Sequence, residues 1–400
     1  MSVAWRHQFG VDGRHDLPDV VVLVTNVSVG IIGGIIQYLD PLKRDLPRYG
    51  IQVVSLQFPR AFNLLESRGL PRIVRAMLHL GFVAFCVARI LRLHSSHRRV
   101  LVHSHGASYA LLTSALAKAL GQHAVHTFHS PIQKRSRVLK WFAPRLDALV
   151  FVSMSLHELL RTLSDVRGRE IHYFPGAVDL QGFRPVGIIE KSRLRAEILA
   201  ESGLPNRGVL SLFMGRITPE KGVLELVEAA VHLKNLRTPT SILVVGPVVD
   251  SAPNRAYFQK IEQRVRDAQL GDWIRLKGPV TQPYKERLMA AADIFVCSSL
   301  WEASGLSVVE AFASGVPVVA SRAGGLQERV RHGETGLLVE PGDPADLARA
   351  IDELARSEAL RSRMGILARV EAESLYGEAR LVEDHVKLYD QILSHDRHIT

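Results

Sequence analysis

Short runs of β-branched and other apolar residues alternate with longer amphipathic stretches along the whole chain. Ten of these runs have the length and composition of buried strands. They cover residues 20–27, 51–58, 100–105, 124–129, 148–153, 209–215, 241–246, 273–278, 293–298 and 317–321. Because helical stretches separate them, the strands are expected to pair in parallel, in sheets covered by helices. The alternation therefore predicts an α/β fold.

The alternation breaks near the middle of the 400 residues and then starts again. A chain of this length is better served by two cores than by one. We expect a first Rossmann-like domain at 1–186, a linker at 187–206, a second Rossmann-like domain at 207–378, and a C-terminal helix at 379–400 that packs back on the first domain. Two facing doubly wound domains leave an inter-domain cleft at the carboxyl ends of their strands, where ligands are expected.

Composition limits the class of protein. Charged residues make up 22% and hydrophobic residues 47% of the chain, which is typical of a protein that is folded throughout. Cys86 and Cys297 lie far apart, so we expect neither a disulfide framework nor a thiolate zinc site. The first twenty residues hold no apolar run for a secretory signal, and the longest run, 80–88, is too short to span a bilayer. We therefore expect a cytoplasmic protein.

The formal net charge of +10 is concentrated in one half of the chain. Residues 1–186 contain 23 Lys and Arg against 11 Asp and Glu (+12), and residues 187–400 contain 27 against 29 (−2). The excess favours an anionic membrane surface, a phosphorylated acceptor or nucleic acid, although it also fits general solubility. We expect no nucleic acid partner, because no base-reading motif accompanies the dispersed basic residues. Residues 71–93 read either as a membrane-surface helix or as a partly buried core helix.

The run at 209–215 leads into the sequence Gly-Arg-Ile-Thr-Pro-Glu-Lys-Gly at 215–222. A helix that begins near Pro219 would direct its N–H groups and the positive end of its dipole at a ligand, which suits phosphate. Arg216 can donate two N–H groups to a diphosphate, and Lys221 adds a compact positive charge. Together they would replace a metal ion, so we expect no metal site. Taken alone, the motif fits surface cations at a helix start equally well.

A second motif, Glu-Ala-Ser-Gly-Leu-Ser-Val-Val-Glu at 302–310, follows the run at 293–298. Four residues of this segment can present backbone N–H groups to a ligand: Ala303, Ser304, Gly305 and Leu306. Glu310, one turn into the next helix, can accept hydrogen bonds from ribose hydroxyls, and Glu302 would then face the sugar. Isolated glutamates are more often solvated or capping groups, but these two follow a strand in the same domain as the cationic loop.

With these motifs the chain resembles the retaining glycosyltransferases of family 4, which have the GT-B fold of two facing Rossmann-like domains. The likeness is strongest at residues 302–321, at Ala-Gly-Gly (323–325) and at Gly-Glu-Thr-Gly-Leu-Leu-Val (333–339). The resemblance implies that Arg216 and Lys221 contact the diphosphate of an NDP-sugar donor. It also implies that Glu310 binds the ribose and that Glu302 binds the transferred sugar.

The resemblance extends to the first half of the chain. Residues 30–34, which include Gly33 and Gly34, look like the family's glycine loop, although a tight turn alone also explains them. His129 resembles the histidine that such enzymes place beside the reacting carbon of the sugar. His105 is a second candidate, on the acceptor side. Each of these strand-end histidines also fits a structural, hydrogen-bonded role.

Two features depart from the family pattern. Ala303 and Ser304 stand where many members have a glycine followed by an aromatic residue, which alters the expected sugar pocket. Pro41 and Pro47 are expected to interrupt or kink the helix after the glycine loop, which alters the acceptor side.

The resemblance predicts a retaining, metal-independent transferase with no cofactor other than its NDP-sugar substrate. Its acceptor would be a saccharide or a lipid-linked molecule, in the synthesis of cell-envelope or exopolysaccharide glycans. The enzyme would be cytoplasmic or peripheral on the inner membrane face. A nucleotide-sugar epimerase or a phosphorylase on the same fold is a rival hypothesis, and a non-catalytic protein that binds nucleotides or polyanions is another.

Overall fold

A computed structural model describes residues 16–28, 34–59, 71–97, 99–106, 108–130, 141–161 and 170–395. The chain divides into two compact units. The first unit comprises the described parts of 1–150, 161–172 and 381–400, and the second comprises those of 151–160 and 173–380.

The first sheet has six strands: β1 (Val20–Ser28), β2 (Gln52–Phe58), β3 (Val100–His105), β4 (His123–Phe128), β5 (Ala148–Phe151) and β6 (Glu170–Tyr173). Their order is β2-β1-β3-β4-β5-β6, and β1 pairs in parallel with both β2 and β3. The helices along this part of the chain are α1 (Gly34–Asp45), α2 (Arg72–Ser96), α3 (Ser108–Ala119) and α4 (Met154–Arg161). This architecture is the doubly wound arrangement that the alternation predicts.

The second sheet also has six strands: β7 (Val209–Met214), β8 (Thr240–Val245), β9 (Ile274–Lys277), β10 (Ile294–Cys297), β11 (Val318–Ser321) and β12 (Gly336–Val339). They are all parallel, in the order β12-β11-β10-β7-β8-β9. The remaining helices of the described chain, numbered after α4, are α5 (Ile188–Glu201), α6 (Val223–Asn235), α7 (Ala252–Asp267), α8 (Tyr284–Ala291), α9 (Leu306–Ala313), α10 (Leu326–Arg329), α11 (Pro344–Arg356), α12 (Glu358–Leu375) and α13 (Glu378–Ser394).

Strands of the second sheet send alternate side chains into two hydrophobic cores. On β7, Leu210 and Leu212 pack into one core, and Val209 and Phe213 pack into the other. All six β7 residues are buried, because helices cover both faces of the sheet. Since successive side chains of a strand point to opposite faces, such a strand reads as a continuous apolar run.

The α/β fold class is confirmed, and the ten expected runs match ten strands to within two residues at either end. The strand pattern misses β6 and β12. Helix α5 occupies most of the stretch at 187–206 for which we expect a linker. Its apolar face packs Leu194 and Ile198 into a core of the second unit, a pattern that the surrounding glycines and prolines obscure in the sequence.

Helix α1 continues through Pro41, which is buried, and ends at Asp45. Pro41 therefore does not interrupt the helix, and a kink at this residue stays a prediction. Pro47 lies beyond the helix, in the 3-10 turn Leu46–Tyr49.

Helix α2 is much longer than the apolar run at 80–88 suggests. By length and composition alone, its residues Ile73–Ser96 are apolar enough to cross a membrane, and this is the one such helix among the described residues. Only 22% of its most apolar stretch is buried. Phe82, Cys86 and Ile90 are among the buried residues and pack into the core of the first sheet. The helix is therefore partly buried, with a second face exposed.

Histidines fill part of the core of the first unit. His103 and His105 point to one face of the first sheet, with ring centroids 4.2 Å apart. The two ring nitrogens of His103 lie 2.7 Å from the hydroxyl of Tyr389, on α13, and 2.7 Å from that of Thr127. The ring of His385, also on α13, lies 5.4 Å from His103. Both ring nitrogens of His103 thus have hydrogen-bonding partners, as burial requires.

Burial depresses the basicity of these rings. On the other face of the sheet, His126 Nδ1 lies 2.7 Å from the Ser104 hydroxyl. Burial, with a smaller contribution from His129, lowers the pKa of His126 to about 3. Burial lowers the pKa of His129 to about 3 and that of His385 to about 4. These rings stay neutral in the folded protein well below the pH at which an exposed histidine is protonated.

We predict that the first unit loses stability as the pH falls below about 6.5, where histidines of the unfolded chain begin to bind protons. Because the folded unit does not take up these protons until about pH 3 to 4, each such histidine lowers the free energy of unfolding by about 1.4 kcal/mol per pH unit. Urea unfolding at a series of pH values measures the slope. His126→Asn keeps a partner for Ser104 and is expected to reduce the slope by one histidine's share. A stability that is flat between pH 7 and pH 5 would contradict the prediction.

Candidate functional site

The strand order brings the two expected donor loops to neighbouring strand ends. β7 and β10 are adjacent in the second sheet, but the chain proceeds from β7 to β8 on one side and from β10 to β11 on the other. The carboxyl ends of such a pair form the topological switch point, where open α/β sheets bind ligands. Residues 215–222 follow β7 and residues 298–305 follow β10.

Backbone contacts tie these loops together. The Leu300 N–H donates to the Glu220 carbonyl over 2.9 Å, and the Ser298 hydroxyl donates to the Lys221 carbonyl over 3.2 Å. Gly222 has a φ of +64°, and a Cβ on it would lie 1.9 Å from the Ser298 carbonyl oxygen. A side chain at this position would both strain the backbone and push the loops apart.

The loop after β11 joins the same edge of the sheet. The Gly325 N–H donates to the Glu302 carbonyl over 2.8 Å. Gly324 has a φ of +54°, and a Cβ there would lie 2.2 Å from the same carbonyl oxygen. Backbone hydrogen bonds therefore join three loops at the carboxyl ends of β7, β10 and β11. We call these loops, residues 215–222, 298–305 and 322–325, the platform.

Lys221 and Glu302 form an ion pair at the centre of this platform. Both are mostly buried, with 16% and 17% of their side chains exposed. Arg216 is 58% exposed, and its guanidinium lies 3.8 Å from the Glu220 carboxylate. The structure thus brings the Lys221 and Glu302 side chains into direct contact and leaves the Arg216 guanidinium largely in solvent.

The environment of Glu302 keeps its carboxylate ionised. Burial by itself would raise the pKa of Glu302, but the Lys221 ammonium and the backbone N–H groups of Gly305 and Ser304 outweigh burial and lower it. Two of the N–H groups that we expect to face a donor therefore interact with Glu302 here. The other two candidates flank them: Ala303 is 7% exposed, and Leu306 begins helix α9.

Glu310 lies in the second turn of α9 and is 2% exposed. Lys285, on α8, donates to its carboxylate. The Lys285 ammonium also lies 5.6 Å from the centre of the Phe183 ring. The glutamate that the motif assigns to a ribose is thus held by a lysine that no motif marks.

Arg329 is a buried cation that fixes the loop after β10. It is 3% exposed, and its guanidinium donates to the Ser304 carbonyl and, over 3.0 Å, to the Ser304 hydroxyl. The guanidinium lies 4.9 Å from the centre of the Tyr376 ring. Burial lowers the pKa of Arg329, while Tyr376 and Glu328 oppose that shift. Arg329 thus anchors one of the two residues by which the chain departs from the family pattern.

In the first unit, the two candidate histidines, His105 and His129, lie next to each other. His105 Nδ1 lies 3.1 Å from His129 Nε2. The ring of Tyr38, on α1, packs edge-on against His129 with centroids 4.8 Å apart. Gly34 begins α1, and Gly33 lies outside the described residues. The two histidines therefore contact each other at the carboxyl edge of the first sheet.

Among the described residues, no group of three or more His, Cys, Asp or Glu side chains is arranged to hold a metal ion. The cations near the switch point of the second sheet are side chains instead. The sequence does not predict that Arg329 and Lys285 belong to the site, because each lies in a short charged stretch that is typical of exposed surface. The sequence does not single out Tyr38 either, because it lies among the apolar residues of a helix face and has the pattern of an ordinary core residue.

We predict that Arg329→Met loosens the loop at residues 303–305 without unfolding the unit. The variant removes charge-assisted hydrogen bonds worth about 1.5 to 3 kcal/mol, so amide exchange in that loop is expected to speed up by about tenfold or more. Hydrogen-exchange mass spectrometry measures this change. Arg349→Met, at an arginine that is 66% exposed on α11, serves as the control. Equal loop protection in the two variants would contradict the prediction.

Two family models match the chain in succession. The model described as Glycosyltransferase Family 4 matches residues 32–181, and the model described as Glycosyl transferases group 1 matches residues 195–370. The second match contains all three loops of the platform.

Solved structures of glycosyltransferases share the fold of this chain. Sucrose-phosphate synthase from Thermosynechococcus elongatus superposes with a TM-score of 0.75 at 22% identity, over 94% of this chain and 100% of that chain. Anabaena HepE, solved in complex with UDP and glucose, superposes with a TM-score of 0.74 at 20% identity, over 93% of this chain and 99% of that chain. The chain therefore has the GT-B fold.

Curated relatives extend the likeness to the sequence. The chain is 32% identical to the D-inositol 3-phosphate glycosyltransferase of Streptomyces avermitilis, but the match covers 68% of this chain and only 61% of that protein's length. It is 31% identical to the Frankia alni protein of the same name over 373 residues, which cover 84% of this chain and 89% of the relative. A likeness of this extent, together with the two family models, makes the chain a member of glycosyltransferase family 4.

Proposed function

We propose that the protein is a retaining glycosyltransferase that moves a sugar from an NDP-sugar to a saccharide or lipid-linked acceptor. The observation that carries the proposal is the platform at the switch point of the second sheet. There, the loop that contains Arg216 and Lys221 is bonded to the loop that contains Glu302. The donor would bind on this platform, with Glu310 at the ribose.

The chemistry requires a site that stabilises a departing diphosphate. When the bond between the anomeric carbon and the phosphate oxygen breaks, negative charge grows on the diphosphate and positive charge on the sugar. Arg216 and Lys221 would stabilise the first, because fixed cations and N–H groups act most strongly where charge develops. Glu302, kept ionised by its surroundings, would face the sugar.

In this proposal the donor diphosphate binds at the Lys221–Glu302 ion pair. The Lys221 ammonium has three N–H donors, so a diphosphate oxygen can share it with Glu302 or displace that carboxylate. In the first unit, His129 would lie beside the reacting carbon, and His105 would belong to the acceptor side. Attack from the face that the diphosphate leaves would retain the configuration of the sugar.

Charge and relatives support an acceptor that carries a negative group. The Streptomyces and Frankia relatives are named for transfer to D-inositol 3-phosphate, and residues 1–186 of this chain carry a net charge of +12. A phosphorylated or lipid-linked saccharide used in cell-envelope or exopolysaccharide synthesis fits that charge. The enzyme would then work in the cytoplasm, at the inner membrane face.

Lys221→Ala is expected to lower kcat/KM for the donor by about 10²- to 10³-fold, the effect of removing one fixed charge-stabilising donor. A thermal-shift screen of UDP, GDP, ADP and their hexose conjugates first identifies the donor, because ligands that bind the native state raise its stability. Transfer is then followed with that donor and candidate phosphorylated saccharides. Lys260→Ala, at an exposed lysine on α7, is the control.

Other products would decide against the proposal. Isomerised donor without transfer would identify an epimerase, and sugar 1-phosphate formed with inorganic phosphate would identify a phosphorylase. Nucleotide binding that survives Glu302→Ala and Lys221→Ala, with no turnover by the unaltered protein, would identify a non-catalytic binder.

We also expect turnover to persist in EDTA, because the proposed donor site balances the diphosphate with Arg216 and Lys221 rather than with a divalent ion. Transfer rates with EDTA and with added Mg²⁺ are compared at one donor concentration. Loss of activity in EDTA and its return with Mg²⁺ would overturn this part of the proposal.

A further inference from the structure

Helix α2 carries a continuous apolar face that the protein leaves exposed. Ile73, Met77, Leu80, Ala84 and Leu91 recur at intervals of three, four and seven residues, so they lie along one side of the helix. Ile73 is 75% exposed, Met77 67% and Leu80 53%. We call these five residues the α2 apolar face. Exposed apolar surface of this extent marks an interaction site in soluble proteins.

The opposite side of the helix is buried in the first unit. Phe82, Cys86, Ile90 and Leu93 belong to one hydrophobic cluster with residues of the first sheet. If α2 crossed a bilayer, these side chains would have to leave that core, and the strands beneath them would lose their cover. The helix is therefore suited to lie in the plane of an interface, with one face on the protein and the other in contact with a partner.

Charge identifies the kind of partner. Arg75, Arg89 and Arg92 of α2 are exposed, and the helix itself contains no acidic residue. From Ser67 to Leu146 the sequence has 13 Lys and Arg and no Asp or Glu. A protein partner of ordinary composition does not require so one-sided a charge, whereas an anionic bilayer offers both apolar depth and negative headgroups.

We propose that the α2 apolar face docks the protein onto an anionic lipid bilayer, with the helix parallel to the membrane plane. The apolar side chains enter the boundary between headgroups and acyl chains, and the arginines remain at the headgroups. This docking goes beyond the proposed transfer reaction and does not depend on it, because it concerns a surface and not the donor site.

Co-sedimentation of the full chain with vesicles tests the proposal. Binding is expected to equimolar phosphatidylcholine and phosphatidylglycerol vesicles, and much less to phosphatidylcholine alone. Ile73→Asp with Met77→Asp is expected to lower the partition coefficient by at least about tenfold, since two apolar side chains no longer leave water. Arg75→Gln, Arg89→Gln and Arg92→Gln are each expected to lower it by about fivefold.

The second unit offers a matched control. Ile366 and Val370, on α12, have the same spacing and are 66% and 57% exposed. Ile366→Asp with Val370→Asp is expected to leave vesicle binding unchanged. All four positions are on the surface, so the melting temperature is expected to stay near that of the unaltered protein, which shows that lost binding is not lost folding.

A site-specific label gives a second readout. Cys86 and Cys297 are both buried, so a fluorophore attached to Met77→Cys reports on the α2 apolar face. Its emission is expected to shift to the blue on anionic vesicles, and the same label on Ile366→Cys is expected not to shift.

Three results would overturn the proposal. One is equal binding by the α2 and α12 aspartate variants, and another is a label at position 77 that stays in water on vesicles. The third is concentration-dependent self-association that the Ile73 and Met77 substitutions abolish, because the face would then belong to a second copy of the chain. Failure of the transfer assay alone leaves these binding results unaffected.

Discussion

The ion pair between Lys221 and Glu302 is the contact on which the candidate site of the second unit depends. Each side chain is about five-sixths buried, so each charge has given up most of its hydration. Removing either partner would leave the other charge buried without compensation, which is costly, whereas the intact pair offsets much of that cost. The pair therefore links the loop after β7 to the loop after β10.

Close backbone contacts fix the loops around this pair. Gly222 and Gly324 place their Cα atoms against carbonyl groups of the loop after β10, at distances that exclude a side chain. Arg329 holds Ser304 from the other side. In the proposed donor site, a backbone held in this way would need little reorganisation when charge develops on the diphosphate, which is the property that makes fixed donors effective.

The first unit buries neutral histidines and carries its positive charge on other residues. His103 and His105 occupy sheet positions that would ordinarily be apolar. Two hydroxyl groups bind the His103 ring, and the rings of His103 and His129 neighbour that of His105. Their neutrality leaves the positive charge of this unit to its lysines and arginines. On α2, these arginines flank an apolar face that the protein does not cover, so the surface combines the two properties that an interfacial helix needs.

The sequence by itself determined the α/β class, the positions of ten strands, the motifs at 215–222 and 302–310, and the family to which the chain belongs. Hydrophobic periodicity and local motifs record burial and backbone geometry, which depend on residues close together in the chain. Only the tertiary structure decided that Lys285 pairs with Glu310, that Arg329 anchors Ser304, and which side of α2 stays exposed. These facts join residues or surfaces far apart in sequence, or depend on which face a neighbouring element covers, and no local pattern records a contact of that kind.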